Sequence, residues 1–358
     1  MGELRIVQVI PSLVRGGAEA FALDLAEAQL AAGHDVHLIR LRPDDALIGR
    51  ASPALRERCL LVEKRGRIDP TVVPRLRAEL VRLSPDVVHT HLFTALAWGA
   101  VAAKLAGVPR VFYTEHAAHP DDERWTPWVR RPLGRLLHGV VGCSAAAVAA
   151  VERAGWATHL PICQIDNGIR VAGRPRAAFP AGPLHIGTVG RLVPIKGQRH
   201  LIEAVAKVRR AGVDVRLTIV GEGPLEHELA AQVAAAGLAD VVSLPGPTDR
   251  VADVLATFDL FALPSISEAM PITLLEAAAA GLPLLVTTGG GGPTLLQAGA
   301  GGWAVAPADS SALAEPITLA ASMSRDALSA LGAASYDVVA ASFSIERTQA
   351  RYEALYRG

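Results

Sequence analysis

The sequence predicts an α/β protein built of two doubly wound, Rossmann-like domains that face each other across a cleft. Three observations carry that expectation. Short apolar runs alternate with amphipathic stretches, the pattern of a parallel sheet covered by helices on both faces. The alternation stops after Gly168, crosses a stretch rich in Pro, Gly, Ala and Arg, and starts again at His185. The 358 residues are 51% hydrophobic and 20% charged, long for one core and sufficient for two.

In the first half, Arg5–Ile10 reads as a strand, residues 18–32 as a helix and residues 35–41 as the next strand. Val72–Leu83 is helical by spacing, residues 86–91 extended, residues 95–105 helical, and residues 110–114 and 139–143 extended. Residues 173–183 have no periodicity and read as a linker. Beyond it come a strand at 185–189, a helix at 198–211, and strands at 216–220, 241–244, 260–263 and 283–286. The predicted boundaries are therefore 1–172, a linker at 173–183, 184–340, and a final stretch at 341–358. In that stretch Ile345, Tyr352, Leu355 and Tyr356 stand at helical spacing, which calls for a docking surface. Ligands of such sheets sit at the carboxyl ends of the strands.

Composition narrows the function. Lys plus Arg equals Asp plus Glu at 35 each, so the surplus of cations that a nucleic-acid binder needs is missing. Cys59, Cys143 and Cys163 are too scattered for a disulfide ladder or a zinc pattern and suit a reducing compartment. Glu3 and Arg5 interrupt any secretory core, while Lys104, Arg135 and Glu152 interrupt the longest apolar stretches. The expected location is cytoplasmic, with peripheral attachment to the inner face of a membrane left open.

Several short motifs carry chemistry. Gly16 and Gly17 precede the first helix, where the backbone can approach a ligand and helix N–H groups face an anion; a plain tight turn reads equally well. Gly190 and Arg191, followed by Lys196, sit after the first strand of the second domain. A planar guanidinium and a point charge there suit a diphosphate; two solvated surface charges are the plainer reading. Pro271 is expected in the first turn of a helix reaching Ala280, with Glu268 in the loop before it and Glu276 farther along. Eight helical residues span about 12 Å, too far for two carboxylates to share a proton but suited to gripping separate hydroxyls of one ligand. A capping acid and an exposed helical Glu are the alternative. His89, His91 and His116 gather at neighbouring strand ends, without the carboxylate or Cys spacing of a standard metal set. His116 is the best placed for a cleft, and His89 reads as a satisfied, partly buried ring. The segment Arg124, Trp125, Trp128, Arg130, Arg131 and Arg135 fits an anionic membrane surface or an ordinary amphipathic helix.

Taken in order, Gly16-Gly17-Ala18-Glu19, Thr114-Glu115-His116, Ile165-Asp166-Asn167-Gly168, Gly190-Arg191, Lys196-Gly197, Val220-Gly221-Glu222-Gly223 and the pair Glu268 and Glu276 resemble the retaining glycosyltransferases of family 4, with the GT-B fold. The likeness runs nearly end to end. It implies transfer of a sugar from a nucleotide-diphosphate donor, UDP- or GDP-linked, to a sugar or lipid-linked acceptor in surface-polysaccharide synthesis, without a metal or other cofactor. It makes the first domain the acceptor side, the second the nucleotide-sugar side, and the last helix a crossing back to the first. Arg191 and Lys196 would neutralise the departing diphosphate, Glu276 would hold the ribose and Glu268 the donor sugar. Pro271 and Ile272 would line the donor site with Gly190, His116 would contact the transferred sugar, and the Gly16–Gly17 amides would close over the diphosphate. Arg170, Ala269 and Thr294 depart from the family pattern, where Asp, Gly and Glu are common, and leave the donor's identity open. A non-catalytic subunit that binds a nucleotide sugar for a partner enzyme is the alternative, and a nucleotide-sugar epimerase a third; a nicotinamide enzyme lacks its fingerprint.

Overall fold

The computed structural model describes residues 2–118, 126–171, 173 and 179–358. The chain divides into two compact units, Met1–Arg170 with Ile345–Gly358, and Val171–Ser344. Each is described by itself.

The first unit holds seven parallel strands: β1 (Arg5–Ile10), β2 (Asp35–Arg40), β3 (Cys59–Leu61), β4 (Val87–His91), β5 (Arg110–Glu115), β6 (Gly139–Gly142) and β7 (Ile162–Gln164). Their order is β3-β2-β1-β4-β5-β6-β7, so the direction of growth reverses between β1 and β4. Strands β1 and β4 are buried almost throughout, as a sheet covered on both faces requires. The helix Leu92–Leu105 starts directly at the end of β4, with Leu92 in the left-handed region at φ 66°. It lies close on the sheet because Gly99 faces it: a Cβ there would meet Thr90 Cγ2 at 2.9 Å and Val9 Cγ1 at 3.5 Å.

The second unit holds β8 (Leu184–Val189), β9 (Val215–Val220), β10 (Val242–Gly246), β11 (Leu260–Leu263), β12 (Leu284–Thr287) and β13 (Gly302–Val305). The order is β10-β9-β8-β11-β12-β13, all parallel, with the reversal between β8 and β11. Residues 174–178 of the expected linker lie outside the described residues.

The last helix, Ile345–Arg357, belongs to the first unit and packs on the helix Gly17–Ala31. Ile345, Tyr352 and Tyr356 are buried as their spacing predicts, but Leu355 is half-exposed. The face is turned so that Thr348 and Gln349 go in instead, and Thr348 Oγ1 donates to the Asp166 carbonyl at 3.1 Å.

Candidate functional site

In an open parallel sheet the crevice for a ligand lies beyond the strand ends where the order reverses. In the second unit that point falls between β8 and β11. Leaving β8, Gly190 donates its N–H to the Val220 carbonyl at 2.9 Å, and the chain passes through the exposed Arg191. Gln198 Nε2 holds the Arg191 carbonyl at 2.9 Å. A single 3₁₀ turn, Pro194–Lys196, follows and ends at Gly197 with φ 67°. A Cβ at Gly197 would collide with the Pro264 carbonyl oxygen, so glycine lets this turn lie against the loop after β11. The Ile266 N–H completes the seam by donating to the Ile195 carbonyl at 2.7 Å.

That seam brings together Lys196 and Glu268, which lie 72 residues apart in sequence and form an ion pair. Ser265 Oγ donates to the same carboxylate oxygen of Glu268 at 3.0 Å. The two charged side chains remain 17% and 16% exposed, so the pair is reachable from solvent. Its floor is the glycine run. Gly290 bridges Glu268, the Gly291 N–H donates to the Glu268 carbonyl at 3.1 Å, and a Cβ at 289, 290 or 291 would strike the carbonyl oxygen of Ile266, Glu268 or Ala269. The glycines thus seat the Glu268 loop backbone against backbone.

The helix Ile272–Ala279 starts directly beyond this loop. Pro271 is its N-cap, not a residue of its first turn as expected: with ψ 125° it is still extended, and its carbonyl accepts from Leu274 and Leu275. The N–H groups of the first turn have no partner inside the helix and carry its positive end. Ile272 is buried at that start, and Glu276 is half-buried one turn on, between the buried Leu275 and Ala277.

In the first unit the reversal between β1 and β4 is filled differently. His89 and His91 stack with ring centroids 4.6 Å apart. His89 Nε2 bonds Thr114 Oγ1 at 2.7 Å, and its Nδ1 meets the Tyr356 hydroxyl. His91 Nε2 bonds Gln8 Oε1 at 2.8 Å, and its Nδ1 bonds His116 Nε2 at 3.0 Å. Gln8 Nε2 donates to Gln29 Oε1 at 2.8 Å, and Thr114 Oγ1 bonds the Tyr352 hydroxyl at 3.1 Å. His89 is the satisfied ring that its position implies, though wholly rather than partly buried. Burial pushes His89 and His116 down to about 3 and His91 well below the usual imidazole value, so all three are neutral at pH 7. Sequence reasoning missed Gln8, Gln29 and Tyr352 as partners of this cluster. The signal for Gln8 was a polar residue inside the apolar strand β1.

Gly16 caps the helix Gly17–Ala31 in an extended conformation, and Glu19 folds its carboxylate back over it. Phe21 of the same helix packs edge-on against His116 at 5.8 Å between centroids. The glycine pair and His116 therefore share the carboxyl edge of one sheet.

The Arg/Trp segment is only partly what its sequence suggested. Arg124 and Trp125 lie outside the described residues. Trp128 is 76% exposed, and Arg131 and Arg135 are exposed with it. Arg130 is not: it is buried against Phe93 and Trp156 and bonds Glu115 Oε2 at 2.7 Å. Glu115 in turn accepts from Tyr113 Oη and from the N–H groups of His116 and Ala117. A buried carboxylate needs a partner, and Arg130 is the cation that supplies it.

Two family profiles match the chain, one described as Glycosyltransferase Family 4 over residues 15–172 and one as Glycosyl transferases group 1 over residues 183–322. The phosphatidyl-myo-inositol mannosyltransferase of Mycobacterium leprae is 29% identical over 329 residues, 85% of this chain and 83% of that protein. The 2-deoxystreptamine glucosyltransferase of Streptomyces kanamyceticus is 30% identical over 237 residues, 57% of this chain and 59% of that one. Among solved structures, Anabaena Alr3699/HepE in complex with UDP and glucose superposes with a TM-score of 0.84 at 20% identity, covering 99% of this chain and 100% of that one. The two profiles take in both units and leave little of the chain unmatched: it belongs to glycosyltransferase family 4 and has the GT-B fold.

Proposed function

We propose that this glycosyltransferase takes its sugar from a UDP-sugar, retains the anomeric configuration, works without a metal, and delivers the sugar to a lipid-linked or saccharide acceptor. The observation that carries the reading is the Lys196–Glu268 pair at the β8/β11 reversal, with the exposed Arg191 earlier on the same loop and a helix N-terminus following Glu268. An anion and a neutral polyol need different partners, and this point offers both. Arg191, Lys196 and the N–H groups near Pro271 and Ile272 suit a diphosphate. Glu268 suits the hydroxyls of the donor sugar, and Glu276 those of the ribose. Gly190 leaves its side-chain position bordered only by Lys196 Cε at 3.9 Å, room for a phosphate at the backbone. Crystals of HepE contain UDP, glucose and UDP-glucose, which supports a UDP-linked donor here.

In the reaction the bond from the anomeric carbon to the diphosphate breaks and the acceptor oxygen bonds that carbon on the same face. The acceptor proton passes to the departing phosphate oxygen. Negative charge grows on that oxygen, where Arg191 and Lys196 stabilise it more in the transition state than in the bound donor. Lys196 exchanges Glu268 for phosphate when the donor arrives, and frees the carboxylate for the sugar. By the family resemblance, His116 would contact the transferred sugar and the Gly16–Gly17 amides the diphosphate.

The test is Glu268→Ala with UDP-glucose as probe. Transfer should collapse while UDP still raises the melting temperature; unchanged transfer, or loss of UDP binding, sinks the assignment. Proton NMR of the product's anomeric configuration decides retention. A lipid-linked acceptor is supported by the mannosyltransferase of M. leprae, whose name specifies a phosphatidyl-inositol. Among the described residues no helix is long and apolar enough to cross a membrane. Peripheral contact, on the cytoplasmic side, would then use Trp128, Arg131 and Arg135, with Arg130 committed elsewhere. Trp128→Ala should weaken binding to vesicles of anionic phospholipid, and equal binding removes the membrane contact.

A further inference from the structure

We propose that Gln8 and His91 are positioning residues that fix the tautomer of His116, so that its ring carries the proton on Nε2 and presents Nδ1 as a hydrogen-bond acceptor. Donors and acceptors alternate along a chain of three side chains. Gln8 Nε2 lies 2.8 Å from Gln29 Oε1 and within 3.5 Å of the Tyr356 hydroxyl, two groups able to accept its protons. That turns Gln8 Oε1 toward His91 Nε2 at 2.8 Å. An amide oxygen can only accept, so His91 carries its proton on Nε2. A neutral imidazole has one N–H, which leaves His91 Nδ1 bare. His91 Nδ1 and His116 Nε2 are 3.0 Å apart, and one of them must donate; only His116 Nε2 can. Burial keeps both rings neutral, so the alternative of a doubly protonated His91 does not arise near pH 7. The chain begins on β1, crosses β4 and ends just beyond β5, so three adjacent strands of one rigid sheet set it. Leu92, held at φ 66°, fixes the backbone beside His91.

The consequence is a choice of substrate group. A bare Nδ1 takes a hydrogen bond from a hydroxyl and rejects a carbonyl or phosphate oxygen, so His116 selects for a sugar O–H donor. This step rests on the reading of His116 as the residue that meets the transferred sugar; the tautomer does not.

The experiment is nitrogen-15 NMR of the full chain labelled at histidine, with His116 assigned by comparison with His116→Gln. In the native protein His116 should show one tautomer, Nε2–H. A ring protonated on Nδ1, or averaging between forms, overturns the proposal. Gln8→Leu removes the acceptor and should release His116 to a mixture of tautomers. A single Nε2–H form persisting in that variant counts against the chain. With UDP-glucose as probe, turnover should fall about tenfold in Gln8→Leu, the worth of one hydrogen bond. If the native protein leaves UDP-glucose untouched, the donor assignment fails while the tautomer result stands on its own.

Discussion

At the β1/β4 reversal of the first sheet, neutral rings, amides and hydroxyls bond mainly one another and are buried, with His116 half-buried at the edge. At the β8/β11 reversal of the second, two opposite charges stand partly in solvent on a seat of glycine backbone. The topology is the same in both places, a parallel sheet that changes direction beside its first strand. What differs is the kind of order each can hold. A neutral cluster can be buried at modest cost if every group is bonded, and it then fixes hydrogen positions, which is what recognition of a hydroxyl requires. Charges can be buried that deeply only when fully paired, as Glu115 and Arg130 are, whereas the Lys196–Glu268 pair stays near the surface and relies on geometry supplied by backbone contacts.

The sharpest way to break this contrast is Lys196→Ala. If the second site is catalytic, transfer should fall by about 10²–10³, the effect of removing one preorganised stabilising group. Because the ion pair is partly solvated, the urea midpoint should shift by no more than about 1 kcal/mol of stability. A large stability loss with transfer intact would make the pair a structural bridge and erase the difference between the two sites.

The second way is pH. In the unfolded chain His89, His91 and His116 bind protons below the ordinary imidazole value near 6.5, whereas in the folded chain burial holds His89 and His116 down to about 3 and His91 well below its usual value. The unfolded state therefore gains protons as the pH drops, and stability of the first unit is lost from about 6.5 downward. One pH unit below that value costs about 1 kcal/mol per ring, or about 3 kcal/mol for the cluster. Hydrogen exchange, corrected for its intrinsic rate, should rise between pH 7 and 5.5 in β4 far more than in β11. Equal rises would mean that the cluster is not what holds the first sheet.

Third is the seat itself. Gly291→Ala drives a Cβ into the Ala269 carbonyl oxygen, backbone that cannot step aside. Overpacking of this kind costs about 2 kcal/mol. The loss should appear in the melting temperature of the second unit and, through the displaced Glu268, in transfer. A neutral substitution would show that the loop is not seated on the glycines.

How much of this was legible in the sequence depends on what kind of information each residue carried. The long strands and the helix Val72–Leu83 follow from periodicity almost to the residue, because burial on both faces of a sheet writes an unbroken apolar run. The edge strands β3, β7 and β13 were not read: three or four half-exposed residues such as Cys59–Leu61 have no period to detect. In the site, Lys196 and Glu268 were named from their motifs, but their pairing depends on a loop seam between residues 72 positions apart. The glycines at 289–291 were visible as a run, while their role as a floor required the opposing carbonyls. Arg130 was misread outright. Its neighbours Arg131 and Trp128 are exposed, and nothing local says that this one cation turns inward to a carboxylate on β5.

The smallest effect expected tests the neutral cluster at its far end. Tyr356 lies on the last helix, and its hydroxyl faces His89 Nδ1 and Gln8 Nε2 in the buried interior. Tyr356→Phe keeps the ring, which packs on Phe112 at 5.5 Å, and removes only the oxygen. His89 Nδ1 then loses this hydrogen-bond partner. Leaving one buried polar group unbonded costs about 1–2 kcal/mol, read as a lower urea midpoint with an unchanged slope. Tyr352→Phe should cost less, since Thr114 Oγ1 keeps its bond to His89 Nε2 at 2.7 Å. If the two substitutions cost the same, the hydroxyls act only through packing, and the order attributed to this cluster would have to come from the rings alone.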